Sequence, residues 1–383
     1  MTAASKALEQ ASIEQHFHYL HQHPALAFEE TLAASYIAGL LREWGYEVSE
    51  GIGKTGVVGR LKVGDGKTSI GLRADTDALP VPEAVDLPYK SQVEGKSHTC
   101  GHDAHTAMLL GAAEHLAKTR NFNGTLNVVF QPAEETMAGA PAMIADGLFE
   151  RFPMDVMFGM HNMPTLPAGK LHFTAGPIMA AVDNWEIVLT GVGSHGSMPE
   201  KSIDPLVAGA ALVMSLQTIV SRNVAPMDAA VVSVGAFLAG DAGNVIPQST
   251  TLRLSTRTRK PETREMVLGK IKSITKATAE AYNVGFEIRE GQPGAILIND
   301  PQQTQACIDI ARQRFGDEQV VTPGPTFMGS EDFAFYAQKV PSVYCFIGNG
   351  NTPMVHHPMY QFDPSNLPVG AAYWVAVAEG YLK

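Results

Sequence analysis

Between Asn184 and about Ile288 the apolar pattern spells strand, helix, strand, strand, helix, strand. A block in that order closes on itself, so the rest of the chain must fold around an insertion. The strands read as Trp185 to Thr190, Ala229 to Phe237, Thr250 to Arg257 and Gly285 to Arg289, and the helices as Asp204 to Arg222 and Pro261 to Tyr282. This is the split β-α-β-β-α-β, ferredoxin-like order. Before it, strand and helix signals alternate. Thr31 to Trp44 reads as an amphipathic helix. Val57 to Val63 and Thr68 to Ala74 read as strands joined by a Gly64-Asp65-Gly66 turn. Asp103 to Lys118 reads as a helix, Thr125 to Phe130 as a strand, Pro141 to Phe149 as a helix and Val156 to Met160 as a buried strand. From Gln302 helix and buried strand (Val343 to Ile347) return. The expected fold class is α/β: a layered α/β domain with a mostly parallel central sheet over 1–183 and 294–383, interrupted by an inserted ferredoxin-like α+β domain over 184–293.

In parallel α/β sheets ligands bind beyond the carboxyl ends of the strands. Those ends are where this sequence concentrates its chemistry. The strand ending at Ala74 runs into Asp75 and Asp77, and the loop before the next helix reads His98-Thr-Cys100-Gly-His102-Asp103. The strand ending at Phe130 leads to Gln-Pro-Ala-Glu134-Glu135, and the one ending at Met160 leads to His161-Asn162. Near the C-terminus, His356 and His357 follow the strand Val343 to Ile347, and spacing alone leaves open which of the two points inward. One thiol with several imidazoles and carboxylates suits zinc or another first-row divalent ion and not magnesium or calcium. Closed structural zinc sites use two to four cysteines, and only Cys100 is nearby, so an open catalytic site is expected. Adjacent glutamates allow one to bind metal while the other moves protons.

Composition removes other classes. With 28 basic and 39 acidic residues the chain carries a formal charge of −11 and no basic stripe, which argues against nucleic acid and anionic membranes as partners. No apolar run reaches the roughly 18 residues of a membrane span. The start, MTAASKALEQASIEQ, lacks the apolar core of a secretory leader. Three scattered cysteines form no disulfide framework. The expectation is a soluble, cytoplasmic protein. Two motifs are decoys. Gly191-Val-Gly193-Ser-His195-Gly196 matches a dinucleotide fingerprint, but Pro199 interrupts the helix and no acidic residue follows at ribose distance. His195 is better taken as a polar group presented to a cleft. The tract His16, His18, His21, His23 is expected to be solvated, because its spacing spreads the imidazoles around a helix.

These motifs together resemble the amidohydrolase branch of the aminoacylase/carboxypeptidase metallopeptidase family: hippurate hydrolases, N-acyl-amino-acid hydrolases and indole-acetyl-amino-acid hydrolases. The resemblance runs nearly end to end, through His21-Gln-His23-Pro24, Arg73-Ala-Asp75-Thr-Asp77-Ala-Leu-Pro80, His98 to Asp103, Gln131 to Glu135, Gly159-Met-His161-Asn162, Asn244-Val-Ile-Pro247, Met328-Gly-Ser-Glu-Asp-Phe333 and His356-His-Pro358. It implies two divalent ions per subunit (Mn, Zn, Co or Ni), with Cys100 as bridging ligand and His102, Glu135, His161 and His356 completing the set. It implies Glu134 as general base, His195 as the histidine presented by the lid, and Asn244 and Arg257 as substrate contacts. The implied reaction is hydrolysis of a small N-acyl-amino acid to a carboxylic acid and a free amino acid, by a homodimer formed through the lid. An N-acetyl-diaminopimelate-type deacetylase or a dipeptidase of the same family is the alternative. The chain departs from the family in places: Thr136-Met-Ala-Gly follows the paired glutamates where glycines are common, Met163 replaces an aromatic residue, and the lid loop reads Gly-Ser-His-Gly-Ser-Met-Pro-Glu where Gly-Gly-His-Ala-Ala-Met-Pro-His is common.

Overall fold

A computed structural model describes residue 8 and residues 10–383. In chain order the elements begin with α1 (Gln10–Gln22), α2 (Thr31–Glu43), β1 (Glu47–Ile52), β2 (Gly56–Val63), β3 (Ser69–Asp75), α3 (His102–Thr119) and β4 (Gly124–Gln131). Then come α4 (Gly139–Ala145), α5 (Leu148–Arg151), β5 (Val156–Met163), β6 (Leu171–His172) and β7 (Gly176–Met179). β8 (Ala181–Thr190), β9 (Ser194–His195), α6 (Pro205–Asn223), β10 (Ala230–Leu238), β11 (Val245–Ile246), β12 (Ser249–Thr258), α7 (Pro261–Tyr282) and β13 (Gly285–Glu290) follow. The chain ends with β14 (Leu297–Asn299), α8 (Pro301–Phe315), β15 (Val320–Val321), α9 (Phe333–Ala337), β16 (Ser342–Gly348) and α10 (Leu367–Tyr381). The chain divides into two compact units: one runs up to Gly176 and resumes over Ile298–Thr326 and Asp332–Lys383, and the other comprises Pro177–Leu297 and Phe327–Glu331.

In the larger unit an eight-stranded sheet has the order β1-β2-β4-β3-β5-β16-β6-β15. β4, β3, β5 and β16 run parallel to one another, and β1 and β2 form an antiparallel flank. β3 to β4 steps one way along the sheet and β4 to β5 steps back across β3, the reversal at which α/β sheets open a crevice. β5 and β16 are buried at every position, as strands covered on both faces must be. Helix α3 is apolar nearly all round and buried from His102 through Ala113, so it forms the centre of one helical layer. It packs against α1 and α10. Gly370 permits that closeness, since a Cβ there would stand 2.0 Å from Met108 Sδ.

Two expectations are corrected here. β2 and β3 are not neighbours across the Gly64-Asp65-Gly66 turn, because β4 lies between them, antiparallel to β2 and parallel to β3. Local turn chemistry is satisfied either way: Gly66 N donates to Asn123 Oδ1 at 2.7 Å, and Asn123 precedes β4. The expected single helix Pro141 to Phe149 is two short ones, broken at Gly147, whose φ of +80° a helix cannot continue.

In the smaller unit the order β10-β12-β8-β13 is antiparallel throughout. α6 and α7 cover one face, and Trp185, Ile187, Leu189, Leu212, Leu216, Leu252, Leu254 and Ile271 fill the interior between. Asp204 caps α6 through Leu206 N (2.8 Å) and Val207 N (3.2 Å), Pro205 and Pro261 open the two helices, and Asn283 in the left-handed region ends α7. α6 departs from expectation, because its 19 residues are long and apolar enough, by length and composition, to cross a membrane. Its face of Ala208, Leu212, Leu216 and Ile219 is buried, while Leu206, Val207 and Met214 are exposed.

Leu72 is fully buried in β3, the strand that ends in Asp75. Leu72→Ala is expected to lower stability by about 2–5 kcal/mol in denaturant unfolding.

Candidate active site

Four chain segments at the carboxyl ends of β3, β4, β5 and β16 converge within the larger unit. The convergence is organised by Asp77. Its Oδ1 accepts from Glu134 N and its Oδ2 from Glu135 N, both at 3.0 Å, and its backbone oxygen lies 2.9 Å from His102 Nδ1. Glu134 follows Ala133 at φ +53°, a left-handed residue whose N–H donates to the buried Glu30 carboxylate at 3.0 Å. Gly101, at φ +90°, separates Cys100 from His102. A Cβ there would approach Asn162 Nδ2 to 2.4 Å and Tyr360 Oη to 2.6 Å, so this position demands glycine.

Donor atoms of Cys100, His102 and His161 lie within 4.8 Å of one another, and so do those of Cys100, Glu135 and His356, and of His102, Glu134 and Glu135. Cys100 is common to two trios, and its Sγ is 3.3 Å from His161 Nε2. The imidazoles are oriented from behind. His102 Nδ1 donates to the Asp77 carbonyl and His161 Nδ1 to the Asn162 carbonyl (2.5 Å), which turns both Nε2 atoms toward the cluster. His356, held at φ +70° with its N–H on the Thr99 carbonyl (2.7 Å), places Nε2 at 3.3 Å from Glu135 Oε1. His357 instead accepts from Met359 N at 3.0 Å, and both imidazoles are exposed.

The spacing fits divalent metal. His102 Nε2 is buried without a hydrogen-bond partner, 3.9 Å from Asp75 Oδ2 and Glu135 Oε1 and 4.0 Å from Glu134 Oε2. Those gaps are too long for hydrogen bonds, and a cation among the donors would supply the partner that His102 Nε2 lacks. The electrostatics agree. Burial opposes charge on His102, but Asp75, Asp77 and Glu135 outweigh it and raise its pKa to about 10. Burial, with Glu135, Glu134 and Asp75 added, holds the Cys100 thiol far above its ordinary range. Burial and His105 push His161 down to about 3, leaving it a neutral donor. This is a pocket of negative potential that stabilises cations.

Behind it lies a fully buried network. Arg73 bonds Asp75 (2.6 Å), Asp332 (3.1 Å) and Gln131 (2.9 Å), and His105 Nδ1 donates to Asp75 Oδ1 at 2.7 Å. Asp77, Asp75, Arg73 and His105 are the supporting residues that the sequence-level site omits, although both aspartates stood at a strand end.

A second omission corrects the reading of the N-terminal histidines. His16 and His21 are buried, not solvated. His21 Nδ1 donates to Asp103 (2.6 Å) and Nε2 to Glu83 (2.9 Å), tying α1 to the residue after His102. Burial alone would keep His21 neutral, but the two carboxylates raise its pKa to about 9.

The proposed lid residues all lie in the smaller unit. His195 is exposed on β9, paired in register with Val245 of β11 beside Asn244, whose backbone oxygen accepts from Gly196 N (2.7 Å). Arg257, half-buried in β12, donates to Ser330 Oγ at 2.8 Å.

Residues 71–380 match the model of Peptidase family M20/M25/M40. The chain belongs to this family. It is 44% identical to a hippurate hydrolase of Campylobacter jejuni over 98% of this chain and 97% of that protein. It is 35% identical to the IAA-amino acid hydrolase ILR1-like 2 of Arabidopsis thaliana, over 95% and 84%. The crystal structure of the Bacillus subtilis YXEP protein, a dinuclear metal binding peptidase from the M20 family, superposes with TM-score 0.85 at 33% identity, over 97% of this chain and 98% of that one. With this M20 relationship, the overlapping donor trios support a site for two divalent metal ions.

Metal uptake by the apo-protein should release protons, since Cys100 must lose one to ligate, and affinity should therefore weaken as pH falls. Titration calorimetry in buffers of different ionisation enthalpy measures the number released. His21→Gln should lower stability by about 3 kcal/mol, as one partner of a buried ion pair is lost. The His21 contribution, from a pKa raised to about 9, is complete below the unfolded value near 6.5 and disappears as pH rises through about 9. Unfolding free energies of both proteins across that window should converge on the alkaline side.

Proposed function

We propose that the chain hydrolyses the amide bond of N-acyl-amino acids, releasing a carboxylic acid and a free amino acid. The observation that carries this reading is the buried cluster around Cys100 in a chain that is closely similar to a hippurate hydrolase. Cys100, His102, Glu135, His161 and His356 are assigned as metal ligands, with Cys100 shared. When bound, two divalent ions polarise the amide carbonyl and lower the pKa of water. A thiolate among imidazoles favours zinc, cobalt or nickel, and manganese remains compatible with the carboxylate and imidazoles.

Glu134 is assigned as the base. It takes a proton from water as the oxygen adds to the carbonyl carbon, and returns it to the leaving nitrogen as the C–N bond breaks. Its backbone is fixed through its own N–H on Asp77. His195 is assigned as donor to the developing oxyanion, and Arg257 and Asn244 to the substrate carboxylate. The chain's overall negative charge makes such local donors necessary for an anionic substrate.

A homodimer through the inserted unit is part of this proposal. It rests on the apolar side chains Leu206, Val207 and Met214 of α6 and Val231, Phe237 and Leu238 of the edge strand β10, all exposed in the single chain. Light scattering should report twice the chain mass, and Met214→Lys with Val231→Lys should reduce it to one.

Glu134→Ala should retain about two metal ions by elemental analysis and lose roughly 10²–10⁴ of kcat. Retained turnover would end the assignment. A panel of benzoyl-, acetyl- and indole-acetyl-amino acids with a dipeptide, assayed on the same metal-loaded enzyme, decides between acyl classes and exposes a deacetylase or dipeptidase.

A further inference from the structure

The loop that carries His195 is braced on every side. β9 pairs with β11, setting His195 opposite Val245 and Ser194 opposite Ile246. The Gln248 side chain clamps the glycines before it, donating to Gly191 O at 2.6 Å and accepting from Gly193 N at 3.0 Å. Gly196 N reaches Asn244 O at 2.7 Å, and Met198 N returns to His195 O at 2.8 Å. The backbone is therefore fixed while the imidazole itself is exposed, and an exposed ring needs its own restraint if it is to act as a directed donor.

Ser197 supplies that restraint. Its backbone N–H points at His195 Nδ1 at 3.2 Å, and its hydroxyl lies 2.8 Å from the same nitrogen. A peptide N–H can only donate, so Nδ1 must present its lone pair, and the proton of a neutral imidazole must sit on Nε2. A proton on Nδ1 would set N–H against N–H. We propose that Ser197 is a positioning residue that holds His195 as the Nε2–H tautomer, with Nε2 turned away from the loop as the donor. This rests on the reading of His195 as the oxyanion donor in amide hydrolysis.

The test is the ring itself. In zinc-loaded, histidine-¹⁵N-labelled enzyme, the His195 resonances, assigned by their loss in His195→Gln, should show a protonated Nε2 and an unprotonated, hydrogen-bonded Nδ1. In Ser197→Ala, which keeps the peptide N–H but loses the hydroxyl, Nδ1 should stay unprotonated while its resonance shifts as one of its two hydrogen bonds disappears and other rotamers become populated. Ser197→Thr, which keeps the hydroxyl, should restore the wild-type pattern. The kinetic counterpart is a kcat lowered about three- to tenfold in Ser197→Ala with KM little changed, the size of one lost neutral hydrogen bond. A protonated Nδ1 in the wild type, or identical ring spectra in wild type and Ser197→Ala, would overturn the proposal. Full turnover by His195→Gln would instead remove the functional reading of His195 and leave the spectroscopic result standing.

Discussion

One carboxylate holds the candidate site together. Asp77 binds the N–H groups of Glu134 and Glu135 with its two oxygens, and its carbonyl takes the Nδ1 proton of His102. Three pieces of chain that meet nowhere in sequence are thereby set in one frame. The frame matters because a metal ligand is useful only when its lone pair is aimed. Asp77 aims His102 from behind and leaves Nε2 bare. It also fixes the peptide that carries the two adjacent glutamates.

Asp77 works inside an interior rich in buried acid. Asp75, Asp77, Asp103, Glu134 and Asp332 are all buried near the strand ends, and each would be costly if left unpaired. The structure answers with cations that reach in from other layers. Arg73, fully buried, joins Asp75 to Asp332, and His21 joins Asp103 to Glu83. Around His102, carboxylate oxygens of Asp75, Glu134 and Glu135 stand 3.9–4.0 Å from Nε2, beyond hydrogen-bond reach. The negative potential gathered there is what a pair of divalent ions would neutralise.

Much of this was legible along the chain. The ferredoxin-like block was visible because its strands and helices each keep their own apolar period, and a period is a local property. Cys100, His102, Glu134, Glu135 and His161 were visible as reactive residues at the ends of buried strands or in the loop before a helix, which a parallel sheet places on one edge. Other features were not. β1 is too polar and half-exposed to announce itself, with a burial pattern of only one fully buried residue in six. The adjacency of β2 to β4 depends on pairing between distant segments. His16 and His21 looked like solvated residues on a helix, because the partners that bury them, Tyr36 for one and Asp103 and Glu83 for the other, are 20 to 82 residues away.

The sequence by itself determined the class of fold, the kinds of donor atom and the edge of the sheet at which they collect. These follow from periodicity and from what each side chain can chemically do. Tertiary structure alone decided how the His356 imidazole meets Glu135 while His357 turns to Met359, which face of each imidazole is free, and which buried acids meet Arg73 or His21. Those outcomes hang on distances between groups brought together by folding, and a lone pair acquires a direction only when something else has taken the proton behind it.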